Sequence, residues 1–143
     1  MTKLNPYIFF DGNCEAAFNF YKSVFGKNFK YLGRYKDVPQ TDRQIFQEKD
    51  DKIMHVSLPI SAETILMGSD NTELYKQSVS TNNFCLYVNT DTKDEADRLF
   101  NELSTGGQIK ISMTETFWGS YYGIFTDKFG ISWKITFDLN PEE

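Results

Sequence analysis

The chain has 143 residues, of which 40% are hydrophobic and 16% aromatic. That is enough apolar surface for one domain, or two small modules sharing a core, and too much for a disordered polymer. The formal net charge is −5 and the 15 Lys and Arg residues are scattered, so no basic stripe offers itself to phosphates and neither nucleic acid nor an anionic membrane surface is expected as a partner.

The opening Met1-Thr2-Lys3-Leu4-Asn5-Pro6 lacks the apolar run of a signal peptide. No stretch approaches the roughly 20 apolar residues that span a bilayer, and the expected location is the cytoplasm. The two cysteines, Cys14 and Cys85, have no ligand-like spacing and read as separate thiols in a reducing compartment. Cys14 falls where a helix should begin, a position that can lower a thiol's pKa.

In chain order, Tyr7-Ile8-Phe9-Phe10 reads as a short strand. A helix follows over Asn13 to Gly26, with Asn13 placed to cap its first turn, Gly26 to end it, and Ala17, Phe20, Tyr21 and Val24 forming an apolar face. Strand-like runs come next at about Phe29 to Tyr35, Ile53 to Ile60 and Glu63 to Ser69. Within the second, Met54, Val56, Leu58 and Ile60 should point one way, and His55, Ser57 and Pro59 the other. The polar segment 36–52 carries Pro39 and the charged run 48–52; it reads as solvated surface or, beside a cleft, as a lid. Residues 71–82 read as a polar linker.

The pattern then repeats. Phe84 to Val88 is a strand candidate, and Asp91 to Gly107 a helix opened by the capping-box pair Thr92 and Glu95 and stopped by Gly106-Gly107. Its apolar residues Ala96, Leu99, Phe100 and Leu103 each lie 79 positions after their counterparts in the first helix. Three more strands follow at about Gln108 to Thr116, Tyr121 to Thr126 and Ser132 to Phe137. The order is βαβββ, twice. This predicts an α+β fold in a single domain, with module one at about 1–70, a linker at 71–82 and module two at about 83–140.

Paired βαβββ modules opening on Tyr7-Ile8-Phe9-Phe10-Asp11-Gly12 and Ala16-Ala17-Phe18-Asn19-Phe20-Tyr21-Lys22-Ser23-Val24-Phe25-Gly26 resemble the vicinal-oxygen-chelate superfamily, which contains glyoxalases, bleomycin-resistance proteins and extradiol dioxygenases. Ile53-Met54-His55-Val56, Leu66-Met67-Gly68-Ser69-Asp70, and Phe117-Trp118-Gly119 leading to Asp127-Lys128-Phe129-Gly130-Ile131-Ser132-Trp133 are most similar to its PhnB-like subgroup. The resemblance implies mixed, curved sheets forming half-barrels around a small-molecule cleft. It also implies homodimers, and, in the enzymes, a divalent metal held by four His, Gln or Glu side chains as a Lewis acid. Those four positions fall here at Asn5 or Pro6, Met67 or Gly68, Asn83, and Lys134. No metal and no other cofactor is therefore expected.

His55, the only histidine, is a candidate ligand-binding group or general base, with Asp70 and Glu115 at strand ends that could approach it. The alternative is a hydrogen-bonded structural histidine. The Phe117-Trp118-Gly119-Ser120-Tyr121-Tyr122-Gly123 segment sets large rings beside glycines, and Trp118, Tyr121 and Tyr122 are candidate cleft-lining residues. Two functions compete. One is metal-independent small-molecule binding. The other is a lyase, isomerase or dioxygenase-type enzyme with a non-standard metal or acid–base site around His55. Members of the subgroup are often described as resembling demethylubiquinone methyltransferases, but no glycine-rich turn opens a helix after a leading strand here, since Gly106-Gly107 follows a helix.

Overall fold

The computed structural model of the chain describes residues 2–37, 51–77 and 83–140. Most of the segment expected as a lid, 38–50, lies outside them. Residues 1–80 and 81–143 make two compact units.

The first unit runs β1 (Tyr7–Phe10), α1 (Cys14–Phe25), β2 (Tyr31–Arg34), a 3-10 turn (Tyr35–Asp37), β3 (Ile53–Pro59), β4 (Ile65–Asp70) and α2 (Thr72–Gln77). Its sheet has the order β1-β4-β3-β2, with β1 parallel to β4 and the other pairs antiparallel. The second runs β5 (Leu86–Thr90), α3 (Lys93–Ser104), β6 (Gln108–Glu115), β7 (Ser120–Thr126) and β8 (Ser132–Asp138). Its order is β5-β8-β7-β6, again with only the first pair parallel. Both expected βαβββ modules are present, each an open mixed sheet with a helix on one face.

Helices α1 and α3 are each 12 residues long. Ala17, Tyr21 and Val24 in the first and Ala96, Phe100 and Leu103 in the second are buried, each side chain contributing roughly 1.5–3 kcal/mol if large and fully removed from water. The helices approach their sheets where a strand carries glycine. A Cβ on Gly68 would sit 2.7 Å from the Phe18 ring, and one on Gly123 2.6 Å from Phe100, whose ring meets Phe125 edge-on at 5.2 Å.

The caps differ from expectation in one helix. Thr92 caps α3 as expected, its hydroxyl accepting from Glu95 N at 3.1 Å, although the Glu95 carboxylate turns to Arg98 and does not reach back. Asn13 makes no side-chain cap on α1. Asp70, from the end of β4, supplies it instead: Oδ1 accepts from Cys14 N at 3.0 Å and Oδ2 from Ile53 N at 2.9 Å. Gly26 ends α1 in the left-handed region, at φ 63°.

Two further expectations change. The linker contains α2, which has no buried apolar stripe to announce it and is started by Asn71 Oδ1 accepting from Leu74 N. In β3, a bulge opposite Gly33 and Arg34 pairs Arg34 with Ile53, and Ile53 is the buried residue where strict alternation selects Met54.

Candidate functional site

In the first unit, Phe10 and Asp70 share the helix-facing side of the sheet, and alternation sends Tyr7, Phe9, Tyr31, His55, Ser57, Met67 and Ser69 to the other. His55 is flanked there by Tyr7 and Tyr31, at ring-centroid separations of 5.6 and 5.9 Å. Gly33, the cross-strand partner of His55, makes room for this: a Cβ there would meet the Tyr31 hydroxyl and ring. The Tyr7 hydroxyl lies 3.3 Å from His55 Nδ1. Burial raises the Tyr7 pKa, against the lowering effect of a hydrogen bond with Ser69, so the phenol stays protonated at neutral pH.

Asp70 does not approach His55. It is 2% exposed, on the opposite face, and consumed by the cap and by Tyr35, whose hydroxyl donates to its carbonyl at 2.7 Å. Glu115 belongs to the second unit and pairs with Lys93 at 3.4 Å. Cys14 also departs from expectation: burial pushes its thiol far above the usual range, and the Asp70 and Glu15 charges add to that, so the helix N-terminus does not activate it.

A cavity of about 460 Å³ lies elsewhere in this unit, lined by residues that include Gly12, Glu15, Arg34, Asp51 and Lys52. Its charged groups are already engaged with one another. Arg34 forks onto Glu15 at 2.9 and 2.6 Å and also donates to the Asp51 carbonyl, while Lys52 Nζ donates to the Gly12 carbonyl. That arrangement ties β2 to α1.

In the second unit the adjacent tyrosines separate. Tyr121 turns to the helix side, where its hydroxyl donates to Asp97 at 2.5 Å and Lys93 Nζ lies 4.6 Å from its ring. Tyr122 points to the other face with Lys134, whose Nζ lies 5.1 Å from the Tyr122 ring and 5.9 Å from Tyr87. Asn89, on the same face, donates to Asp138 Oδ2 at 3.2 Å and to the Tyr87 hydroxyl at 3.5 Å. Trp118 is 65% exposed in the turn between β6 and β7 and packs edge-on against Phe117 at 4.9 Å. Of the expected aromatic trio, only Tyr122 joins a polar cluster on the sheet face opposite α3. The Lys134–Tyr87 half of that cluster was not singled out from sequence for binding. Superposing the two βαβββ units by register reveals it, since Tyr7 pairs with Met67 in β1–β4 and Tyr87 with Lys134 in β5–β8.

That register also tests the inherited metal positions. Met67 and Lys134 occupy equivalent places in the last strand of each module, one a weak thioether donor and the other an ammonium that repels cations. Asn5 spends its Oδ1 on Ile65 N at 3.0 Å, and Pro6 has no donor side chain. Among the described residues, no three His, Cys, Asp or Glu side chains gather to hold an ion. The residues do not fit the superfamily's divalent metal.

Two open four-stranded mixed sheets, each with a parallel first–last pair at one edge and backed by a helix, define a protein of the glyoxalase, bleomycin-resistance and dioxygenase fold. A member of that group from Burkholderia phytofirmans superposes with a TM-score of 0.65 at 18% identity, over 94% of this chain and 97% of its own. The chain belongs to the family described as 3-demethylubiquinone-9 3-methyltransferase, whose model matches residues 2–136. Protein YjdN of Escherichia coli is 32% identical over 139 residues, 92% of each chain. Protein PA1353 of Pseudomonas aeruginosa superposes with a TM-score of 0.81 at 33% identity, covering 96% of this chain and 98% of that one. The PhnB protein from Bacillus cereus does so with 0.73 at 25% identity, covering 95% and 99%. Among the described residues no helix is long and apolar enough to cross a membrane.

Proposed function

We propose that this chain is a small-molecule-binding protein of the superfamily that holds its ligand without a divalent metal, its two modules acting as one cytoplasmic domain that pairs as a homodimer. The observation that carries this reading is Lys134. The resemblance puts it at one of the four positions from which the enzymes hold their metal, and its ammonium rests beside two tyrosine rings, so the position favours an electron-rich organic group over a cation. The methyltransferase activity in the family's description is not part of the reading, because these sheets are not the doubly wound parallel sheet on which nucleotide cofactors are bound. The test is metal analysis of protein purified without an affinity tag, combined with a thermal-shift screen of metabolites and antibiotics in chelator. The expected result is no stoichiometric metal and at least one compound that raises the melting temperature with concentration. Stoichiometric zinc, nickel, manganese or iron overturns it.

One observation favours a second reading, acid–base catalysis at His55. The Tyr7 hydroxyl orients the ring through Nδ1 and leaves Nε2 as the group that would exchange a proton with a substrate. A compound found in the screen that is turned over by the parent and not by His55→Gln supports this; binding without turnover removes it.

A further inference from the structure

The register places Lys134 opposite Tyr87 on one side and Ile124 on the other, with Tyr122 one pair along. The ammonium therefore sits in the pleat between two phenol rings, on the sheet face that α3 leaves uncovered. Lys134 is partly exposed and, among the described residues, makes no ion pair. The carboxylate on its own face, Asp138, is four positions along β8, roughly 13 Å away at the rise of a strand, and is held by Asn89. The carboxylates Asp97 and Glu115 are bound to Tyr121 and Lys93. Among the described residues, no carboxylate is held against Lys134, and its ammonium is framed by the Tyr87 and Tyr122 rings.

Resting on the binding function proposed above, we propose that Lys134 is the anion-recognising group of this protein, and that its ligands are planar organic anions: a carboxylate or phenolate oxygen on a conjugated skeleton. The oxygen accepts a charge-assisted hydrogen bond from Nζ, and the flat skeleton lies against Tyr87 and Tyr122. Two features of the geometry select this class. A lone ammonium is a compact positive charge that only donates, so it pairs with an anionic oxygen and not with a cation or a bare donor. Rings on both sides contribute contact area and stacking faces that a saturated skeleton cannot use as well. The substitution that removes the metal position thereby reverses the ligand preference of the site, from a cation to the negative oxygen that such a cation would bind.

The experiment measures binding of three probes by calorimetry or protein NMR titration. They are 4-hydroxybenzoate (planar, anionic), 4-hydroxybenzamide (planar, neutral) and cyclohexanecarboxylate (anionic, not planar). The parent should bind 4-hydroxybenzoate most tightly. Lys134→Met should weaken that binding roughly ten- to a hundredfold, the order for losing one hydrogen bond to a charged group, and leave 4-hydroxybenzamide unchanged. Lys134→Arg should retain most of the affinity, and Tyr87→Leu should weaken 4-hydroxybenzoate more than cyclohexanecarboxylate. Added salt should weaken the anions and spare the amide in the parent itself, which keeps the test independent of any variant's folding. Equal affinity of parent and Lys134→Met for 4-hydroxybenzoate overturns the assignment, as does a parent that prefers the amide or binds no anionic probe. If only neutral compounds bind in the broader screen, this inference fails and the small-molecule reading stands; if nothing binds, both fail.

Discussion

Asp70→Asn isolates one carboxylate that joins three parts of the first unit. The native side chain accepts from Cys14 N at 3.0 Å and Ile53 N at 2.9 Å through separate oxygens, and is 2% exposed. The amide has the same shape but one oxygen, so its NH2 must face one of the two backbone N–H groups, donor against donor. The change removes one hydrogen bond to a charged acceptor, about 1.5–3 kcal/mol, and strands a buried donor at about 1–3 kcal/mol. The easier desolvation of a neutral amide offsets part of this, leaving a net loss of roughly 2–5 kcal/mol. At about 3 °C per kcal/mol for a chain of this length, the melting temperature should fall by roughly 6–15 °C. Circular dichroism on heating gives the shift, and hydrogen exchange at the Cys14 and Ile53 amides locates it. A variant melting within about 2 °C of the parent, with both amides still protected, would show that the carboxylate is not the bridge described here.

Four further outcomes follow from particular residues. Gly123→Ala should cost roughly 1–3 kcal/mol in a denaturant titration, because its Cβ enters the packed Phe100 ring and Met113. Gly33→Ala meets only the outer end of Tyr31 and should cost less than about 1 kcal/mol, while changing the NMR shifts of the His55 ring as Tyr31 swings away. The Asp97 carboxylate, helped by burial, holds the Tyr121 hydroxyl at about 12 against an ordinary 10.0. This folded-state pKa is raised, so the stability it confers is full below pH 10 and lost as pH rises through 12; Tyr121→Phe should remove that part of the alkaline stability loss, and ultraviolet phenolate absorbance should show one late-titrating tyrosine fewer. Trp118→Ala, at a residue 65% exposed, should change stability by less than about 0.5 kcal/mol, so a loss of ligand affinity in that variant reports direct contact.

The duplicated architecture was legible because helix periodicity and strand alternation are local, and the 79-residue offset of the apolar face recurs as two 12-residue helices. The segment Asp127 to Trp133 was also readable as a mark of the fold, and its chemistry is structural. Asp127 accepts from Phe129 N and Ile131 N within the turn, and from Trp133 Nε1 at 2.9 Å. The short helix α2 escaped because its apolar residues Leu74 and Tyr75 are exposed and form no buried stripe, and it is organised by one capping residue, Asn71. The inward position in β3 escaped because a bulge breaks the period of two, and a bulge depends on the partner strand.

What composition and spacing determined alone was the order of the two βαβββ modules, the apolar face of α3 and most of that of α1, where Phe18 is buried and Phe20 is not, and the unsuitability of Met67 and Lys134 as ligands to a hard cation. Each of these depends on side-chain chemistry or on neighbours a few positions away in the chain. Strand pairing decided the rest. It sent Tyr121 to the helix and Tyr122 to Lys134 although they are neighbours in sequence. It turned Asp70 from a possible partner of His55 into the cap of α1, and it set Tyr87 beside an ammonium 47 positions away. Register is a property of two strands together, so which face a residue joins, and what it meets there, is settled only when the sheet forms.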